Sequence, residues 1–187
     1  MAVPELTTVR LRLRGWRDDD REPFAALNAD PEVMEHFPTT LTRATSDMLI
    51  DMTTDGWAAN GFGLWAVERA EDGRFLGFTG LSRPSFEAPF TPAVEVGWRL
   101  ARQAWGHGYA TEAALASLDF GFETVGLEEI VSFTVPANVR SRAVMERIGM
   151  RSDPGDDFDH PKLPAGHPLR RHVLYRLSRA DWQREAS

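Results

Sequence analysis

A strand, a glycine-containing turn and a helix follow one another directly in the middle of the chain. Residues 93–100 alternate like a strand, and the next segment, residues 103–112, reads Gln-Ala-Trp-Gly-His-Gly-Tyr-Ala-Thr-Glu. Residues 109–124 then carry apolar side chains at steps of four, the spacing of one helix face. A second strand pattern follows at 128–135. This order predicts two parallel neighbouring strands joined by a right-handed crossover.

The remaining elements predict a mixed α/β sheet with helices on both faces. Helices are expected at 18–28, 46–59, 109–124 and 138–149, and strands at 9–14, 63–68, 74–79, 93–100, 128–135 and 170–177. An Asp-Gly turn between the strands at 63–68 and 74–79 predicts a hairpin. The segments 82–92 and 153–168 are predicted loops. No linker or repeat interrupts the chain, so residues 1–187 are expected to form one domain.

Composition excludes several kinds of function. The chain has no cysteine, which removes thiolate nucleophiles and cysteine zinc sites and suits a reducing cytoplasm, the expected location. The spacing of His160, His167 and His172 matches no compact ligand pattern, so no metal is expected. A net charge of −7 disfavours nucleic acid and favours cationic partners such as amines. No apolar run approaches the ~20 residues of a membrane span, so no membrane partner is expected.

The glycine turn has two interpretations from the residues alone. The first N–H groups of a helix lack internal partners, and glycines at 106 and 108 allow close approach of an anion such as a pyrophosphate. A plain turn is the alternative, and His107 is either a surface residue or a catalytic one. Two nucleotide-binding motifs do not fit. Thr111 stands where a dinucleotide fold has its third glycine, and no Gly-Lys-Ser/Thr is present.

The motifs in this region resemble those of one family. The run Gln103-x-x-Gly106-x-Gly108 is similar to the Q/R-x-x-G-x-G/A motif of the GNAT N-acetyltransferase superfamily. Residues 95–100 and 105–113 resemble its ribosomal-protein N-terminal acetyltransferase-like branch. Residues 138–150 resemble the next segment of the family, and residues 8–14 resemble its first strand. The resemblance implies a mostly antiparallel, twisted sheet with helices on both faces. It also implies a splay between two central parallel strands.

The resemblance further implies acetyl-CoA as cosubstrate. Backbone N–H groups of Gly106, Gly108, Tyr109 and Ala110 would hold the pyrophosphate. The pantetheine arm would pair with the backbone near Trp98 to Leu100, and Asn138 would bond it from the other side. The expected cofactor-binding residues are Trp98, Arg99, Leu100, Gln103, Gly106, His107, Gly108, Tyr109, Ala110, Thr111 and Asn138.

Acetyl transfer to an amine needs a base, polarisation of the thioester and an acid for the leaving thiolate. Glu95, on a predicted central strand, is the candidate base, with a salt bridge as the alternative; Glu68 is a weaker candidate. Many family members place a tyrosine acid where this chain has Met145, so Ser141 is the candidate acid. The predicted catalytic residues are thus Ser141, Glu95 and Asn138. For Asn138 and Ser141, a helix cap and a first-turn backbone contact are the alternatives.

Together these features predict an acetyl-CoA-dependent N-acetyltransferase in which the amine attacks directly within a ternary complex. The acceptor is a primary amine, either a protein or peptide α-amine or a small molecule. An α-amine is roughly a tenth neutral at pH 7 and needs only a weak base. A non-catalytic CoA-binding or regulatory module of the same fold is the alternative, and the resemblance leaves a homodimer open.

Overall fold

A computed structural model describes residues 3–185 as one twisted sheet flanked by helices. Eight strands follow the order β1-β2-β3-β4-β5-β6-β9-β7, and β8 pairs with β9 outside this path. Only β5 and β6 are parallel among the paired strands of the described chain. The strands are β1 (Leu6–Thr7), β2 (Leu11–Arg14), β3 (Leu64–Arg69), β4 (Phe75–Ser82), β5 (Glu95–Leu100), β6 (Glu129–Thr134), β7 (Arg151–Ser152), β8 (Phe158–Asp159) and β9 (Arg171–Ser178).

Five α-helices surround the sheet: α1 (Arg21–Ala29), α2 (Arg43–Asn60), α3 (Tyr109–Asp119), α4 (Val139–Arg147) and α5 (Arg179–Glu185). Capping residues determine both ends of α2. The side chain of Thr42 accepts from the Thr45 N–H at the start of α2, and Gly61 ends that helix at φ 73°. None of the described helices is both long and apolar enough to cross a membrane.

The two faces of the sheet carry different packing. On one face, Val94, which precedes β5, and Val96 and Leu100 of β5 belong to a core that also includes apolar side chains of α3 and α4. On the other face, a cluster around Phe24 and Ile50 packs α1 and α2 over β4. A third cluster on that second face covers β6 and β9; it comprises Val131, Phe158 and Leu174, with Phe86, Ala88, Phe90, Ala93 and Phe133 packed against it.

Strand alternation directs Glu95, Gly97 and Arg99 to the second face, because Val94 and Val96 point to the first. These three residues therefore lie between the α1–α2 cluster and the β6–β9 cluster. The space between the two clusters is called the β5 cleft below, and β5 forms its floor.

The predicted mixed α/β sheet with helices on both faces and one parallel pair is confirmed, and most element positions agree. The differences are local. The helix expected at 109–124 is α3 to Asp119 followed by a π-helical turn, Phe120–Val125, which ends at Gly126 with φ 83°. Residues 9 and 10 lie in the turn before β2, not in the strand. The predicted loop at 153–168 contains β8, and α5 follows β9 directly. Two-residue strands carry too short a pattern to be recognised by periodicity.

Candidate active site

The parallel pair β5–β6 separates soon after it begins. Glu95 and Val131 are its one paired position, where the Val131 N–H donates to the Val94 carbonyl at 2.9 Å. The Ser132 hydroxyl then donates to the Val96 carbonyl at 2.9 Å, in place of a backbone group. Beyond this point, alternation directs the Trp98 N–H and C=O and the Leu100 N–H into the gap. The backbone groups of Arg99 point to β4 instead, opposite Phe78.

The gap opens towards the start of α3, which has no capping side chain. Gly108 is the N-cap residue at φ 80°, and Gly106 also has φ 80°. The first hydrogen bond inside the helix runs from the Glu112 N–H to the Gly108 carbonyl, so the N–H groups of residues 108–111 have no intrahelical partner. A Cβ at Gly106 would meet nothing within 4 Å. This end is therefore open, donor-rich and suited to an anion.

Arg10 holds the glycine turn from the β1–β2 side. Its Nη1 donates to the His107 carbonyl at 2.9 Å, and its Nε donates to Glu112 at 2.7 Å. Partial burial alone would raise the pKa of Glu112, but hydrogen bonds from Thr8 and Arg10 outweigh it and hold that pKa below its ordinary value. The His107 ring is exposed and stacks on Tyr109, with centroids 5.4 Å apart. His107 thus shapes the turn through its carbonyl.

The side chains of the residues between β5 and α3 lie on two different surfaces. Gln103 is exposed and lines a groove on the α1 side with Arg17, Arg74 and Phe75 among others. The ring of Trp105 lies at the mouth of the gap, where its Nε1 donates to the Leu100 carbonyl at 2.9 Å. The guanidinium of Arg140, in the first turn of α4, lies 4.7 Å from that ring.

Helix α4 forms the other wall of the gap. The Asn138 Oδ1 accepts from the Ser141 N–H at 3.2 Å and its Nδ2 donates to Thr134 at 3.0 Å, so Asn138 caps the helix and keeps one N–H and one lone pair free. The Ser141 hydroxyl is half-buried and makes no hydrogen bond within residues 3–185. Met145 is 2 % exposed and belongs to the core. The hydroxyl in this region that is free to act as an acid is that of Ser141.

Glu95 and Glu68 have opposite surroundings. Glu68 is 4 % exposed and bonded by Arg12, Arg14 and Arg17, which fixes it as a structural ion-pair partner. Glu95 has no hydrogen bond or ion pair within the described chain, and burial raises its pKa to about 8. Its Oε1 lies 3.9 Å from where a Cβ on Gly97 would be, so the missing side chain leaves space beside the carboxyl. Glu95 is the unpartnered carboxyl of the cleft floor.

The side chain of Arg99 on this face was not recognised from the sequence. Arg99, predicted only as a backbone contact, also projects its side chain from the β5 cleft floor, where it meets Asn28, Phe37 and Phe78. Strand alternation was the signal that could have revealed this. On the opposite wall, the rings of His160 and His172 lie 5.1 Å apart among phenylalanines, and burial lowers both of their pKa values. No group of acidic or histidine side chains in residues 3–185 is arranged to hold a metal ion.

Comparisons with known proteins identify the family. The family model described as an acetyltransferase (GNAT) domain matches residues 10–151. The chain is 34 % identical over 194 residues to the FsC-acetyl coenzyme A-N(2)-transacetylase of Aspergillus fumigatus, covering 98 % of this chain and 80 % of that protein. It is 33 % identical over 150 residues to the uncharacterised protein YkkB of Bacillus subtilis, covering 80 % and 86 %.

Solved structures agree with this family. An acetyltransferase from Agrobacterium tumefaciens aligns with a TM-score of 0.76 and 30 % identity over 95 % of both chains. A GNAT-family acetyltransferase from Bacillus anthracis aligns with a TM-score of 0.78, covering 95 % of this chain and 99 % of that one, and its 23 % identity supports the fold alone. With a family model covering most of its length and relatives named as N-acetyltransferases, the chain belongs to the GNAT acetyltransferase family and is an acyltransferase.

Proposed function

We propose that this protein transfers an acetyl group from acetyl-CoA to a primary amine, by direct attack of the amine in a ternary complex. The observation that carries the proposal is that a helix start suited to an anion and an unpartnered carboxyl lie along the same gap. The β5–β6 gap leads from the uncapped start of α3 to the unpartnered carboxyl of Glu95. The printed name of the Aspergillus relative, an acetyl coenzyme A transacetylase acting at an N(2) position, supports the same class of reaction.

The chain has groups that fit each part of acetyl-CoA. The free N–H groups at residues 108–111 suit the pyrophosphate, because they converge at the positive end of a helix dipole. The unpaired backbone groups of Trp98 and Leu100 suit the amides of the pantetheine arm. The free N–H of Asn138 faces the same arm from α4 in this proposal. When bound, acetyl-CoA supplies an activated acetyl thioester.

Glu95 accepts the proton of the amine, directly or through a water molecule. A carboxyl with a pKa of about 8 has a proton affinity matched to that of an α-amine, whose pKa is ~7.7–8.0. Such matching suits a base working near neutral pH. No cation forms a salt bridge with Glu95 within the described residues. Its carboxyl group is therefore available to the acceptor.

Ser141 donates a hydrogen bond to the departing thiolate and relays a proton to it, taking one back from solvent. Its hydroxyl is unbonded and lies in the first turn of α4, while Asn138 fixes its backbone. Because a thiol has a pKa near 8.5, the thiolate needs only modest assistance, and a serine hydroxyl is sufficient where Met145 offers none. We place Glu95, Asn138 and Ser141 in one catalytic domain that comprises residues 1–187. In this proposal the domain resembles the ribosomal-protein acetyltransferase branch.

One assay tests the proposal. Purified protein is incubated with acetyl-CoA and a panel of amines, including peptides with free N-termini, and release of CoA thiol is followed. We expect thiol release with at least one amine, and a decrease of about 100-fold for Glu95→Gln. Glu71→Gln, which alters an exposed glutamate in the β3–β4 turn, is the matched control. Stabilisation by CoA without thiol release from any amine would show a binding module instead.

A further inference from the structure

Arg99 is the one residue of the described chain with a buried side-chain nitrogen or oxygen atom that lacks a hydrogen-bond partner; the atom is Nε. Its Nη1 donates to Asn28 at 2.6 Å, and Asn28 is fully buried and in turn donates to Ser46 at 3.1 Å. No carboxylate forms an ion pair with Arg99 in residues 3–185. Burial accordingly lowers the pKa of Arg99 to about 10, which leaves it charged at neutral pH.

The surroundings of the Arg99 guanidinium leave one edge unused. The ring of Phe37 lies 4.2 Å from Cζ and the ring of Phe78 lies 5.4 Å away. Asn28 occupies Nη1, so Nε and Nη2 form the edge without a protein partner. A carboxylate binds such an edge side-on through two parallel N–H···O bonds. Phe37 is 39 % exposed and follows α1 in a loop, and binding of an oxygen at the buried Nε requires the side chains around it to shift.

An unpartnered carboxyl and a guanidinium with one unpartnered edge thus share the cleft floor. Glu95 and Arg99 lie on the same face of β5, four residues apart, which is about 13 Å between Cα atoms. One molecule that places an amine at Glu95 and a carboxylate at Arg99 would give each of these side chains a hydrogen-bonding partner. A protein N-terminus offers the amine alone, because its own carboxyl terminus lies far along the chain. The unused Arg99 edge therefore favours a small acceptor.

From this pairing we propose that the acceptor is a small molecule that carries both a primary amine and a carboxylate or similar oxyanion, with the oxyanion bound by the Nε–Nη2 edge of Arg99. This inference rests on the proposed acetyltransferase function and specifies its substrate class. Unblocked glycine peptides of two to four residues span the required separations, since an extended chain covers ~3.3–3.6 Å per residue. Their C-terminal amides have the same length without the negative charge.

The test compares each free-acid peptide with its amide in the wild-type protein and in Arg99→Met. We expect the wild type to prefer the acid by about 10- to 100-fold in kcat/KM at the best length, as two charge-assisted bonds require. In Arg99→Met this preference should be lost, because the reaction of the acid slows far more than that of the amide. Arg99→Lys, which keeps the charge but lacks the fork, should show an intermediate preference. Arg147→Met, on the exposed end of α4, should keep the wild-type preference.

A second measurement needs no turnover. Titration calorimetry of the N-acetylated acids and amides into the CoA complex should show the same preference, again lost in Arg99→Met. Equal binding of acids and amides by the wild type would overturn the oxyanion site, even if thiol release is observed with other amines. A preference that persists in Arg99→Met would overturn the assignment to this residue. Failure of the acetyltransferase function would instead appear as absent thiol release with every amine.

Discussion

Replacing Glu95 with glutamine tests the energetic consequence of an unpaired carboxyl on the cleft floor. Because burial raises the pKa of Glu95 from 4.5 to about 8, the folded protein keeps a proton that the unfolded chain releases between these pH values. Linkage then requires the free energy of unfolding to decrease as the pH rises through this window. Glutamine does not ionise, so Glu95→Gln should lack this contribution to the decrease.

The magnitude follows from the same pKa values. A rise from 4.5 to about 8 corresponds to about 5 kcal/mol, at 1.36 kcal/mol for each tenfold change in proton affinity. Glu95 is partly exposed, so solvent screens its ionised form and the expected contribution decreases to about 1–3 kcal/mol. Glu95→Gln should therefore gain that much stability relative to the wild type between pH 5 and pH 9.

Urea unfolding at several pH values between 5 and 9 measures this difference, with fluorescence of the six tryptophans as the probe. Glu71→Gln serves as the control, because Glu71 lies in the β3–β4 turn, is exposed and makes no side-chain hydrogen bond or ion pair within residues 3–185. Its unfolding free energy should follow the wild-type pH dependence. Parallel pH profiles for Glu95→Gln and the wild type would refute the reasoning that Glu95 is desolvated and unpaired.

Three further substitutions test other parts of the structure. Ser141→Ala should lower kcat by about 10- to 100-fold with unchanged affinity for CoA, measured by thiol release and calorimetry; an unchanged kcat removes Ser141 from the reaction. Gly108→Val should weaken CoA binding at least about tenfold, since φ 80° strains a β-branched residue. Gly166→Val carries the same strain at φ 82° in a different loop and should bind CoA normally. Arg14→Met should lower the free energy of unfolding by about 3–5 kcal/mol in urea, because it leaves the buried carboxylates of Asp20 and Glu68 without their shared guanidinium; a smaller loss would show that the other arginines suffice.

The sequence predicted those parts of the fold that depend on local patterns. The alternation through β5 and the steps of four in α3 are properties of consecutive residues, so the parallel unit around the glycine turn was predictable. Met145 lies in the core on α4, in agreement with its apolar side chain. The strand β8 was missed because two residues cannot show an alternation, and α5 was missed because its seven residues include only two apolar side chains, Ala180 and Trp182.

The electrostatic character of the site was not predictable in the same way. Glu68 and Glu95 both occupy central strands, and nothing in their neighbours along the chain distinguishes them. Glu68 is neutralised by Arg14 and two further arginines that approach from β2 and the segment after it. Within residues 3–185, Glu95 has no ion pair, and the cluster beside its strand consists of apolar and aromatic side chains. Such contrasts depend on residues distant in sequence.

The missing cap of α3 has a consequence for protein motion. Four backbone amides at residues 108–111 have no intrahelical acceptor, so this helix end is a local minimum of stability within an otherwise bonded element. An anion bound there would act as the cap, and the same hydrogen bonds would then determine both ligand affinity and local folding. Amide hydrogen exchange in the first turn of α3 should accordingly slow when CoA binds, while exchange at the side-chain-capped start of α2 is unaffected. A bound anion would thus complete the helix.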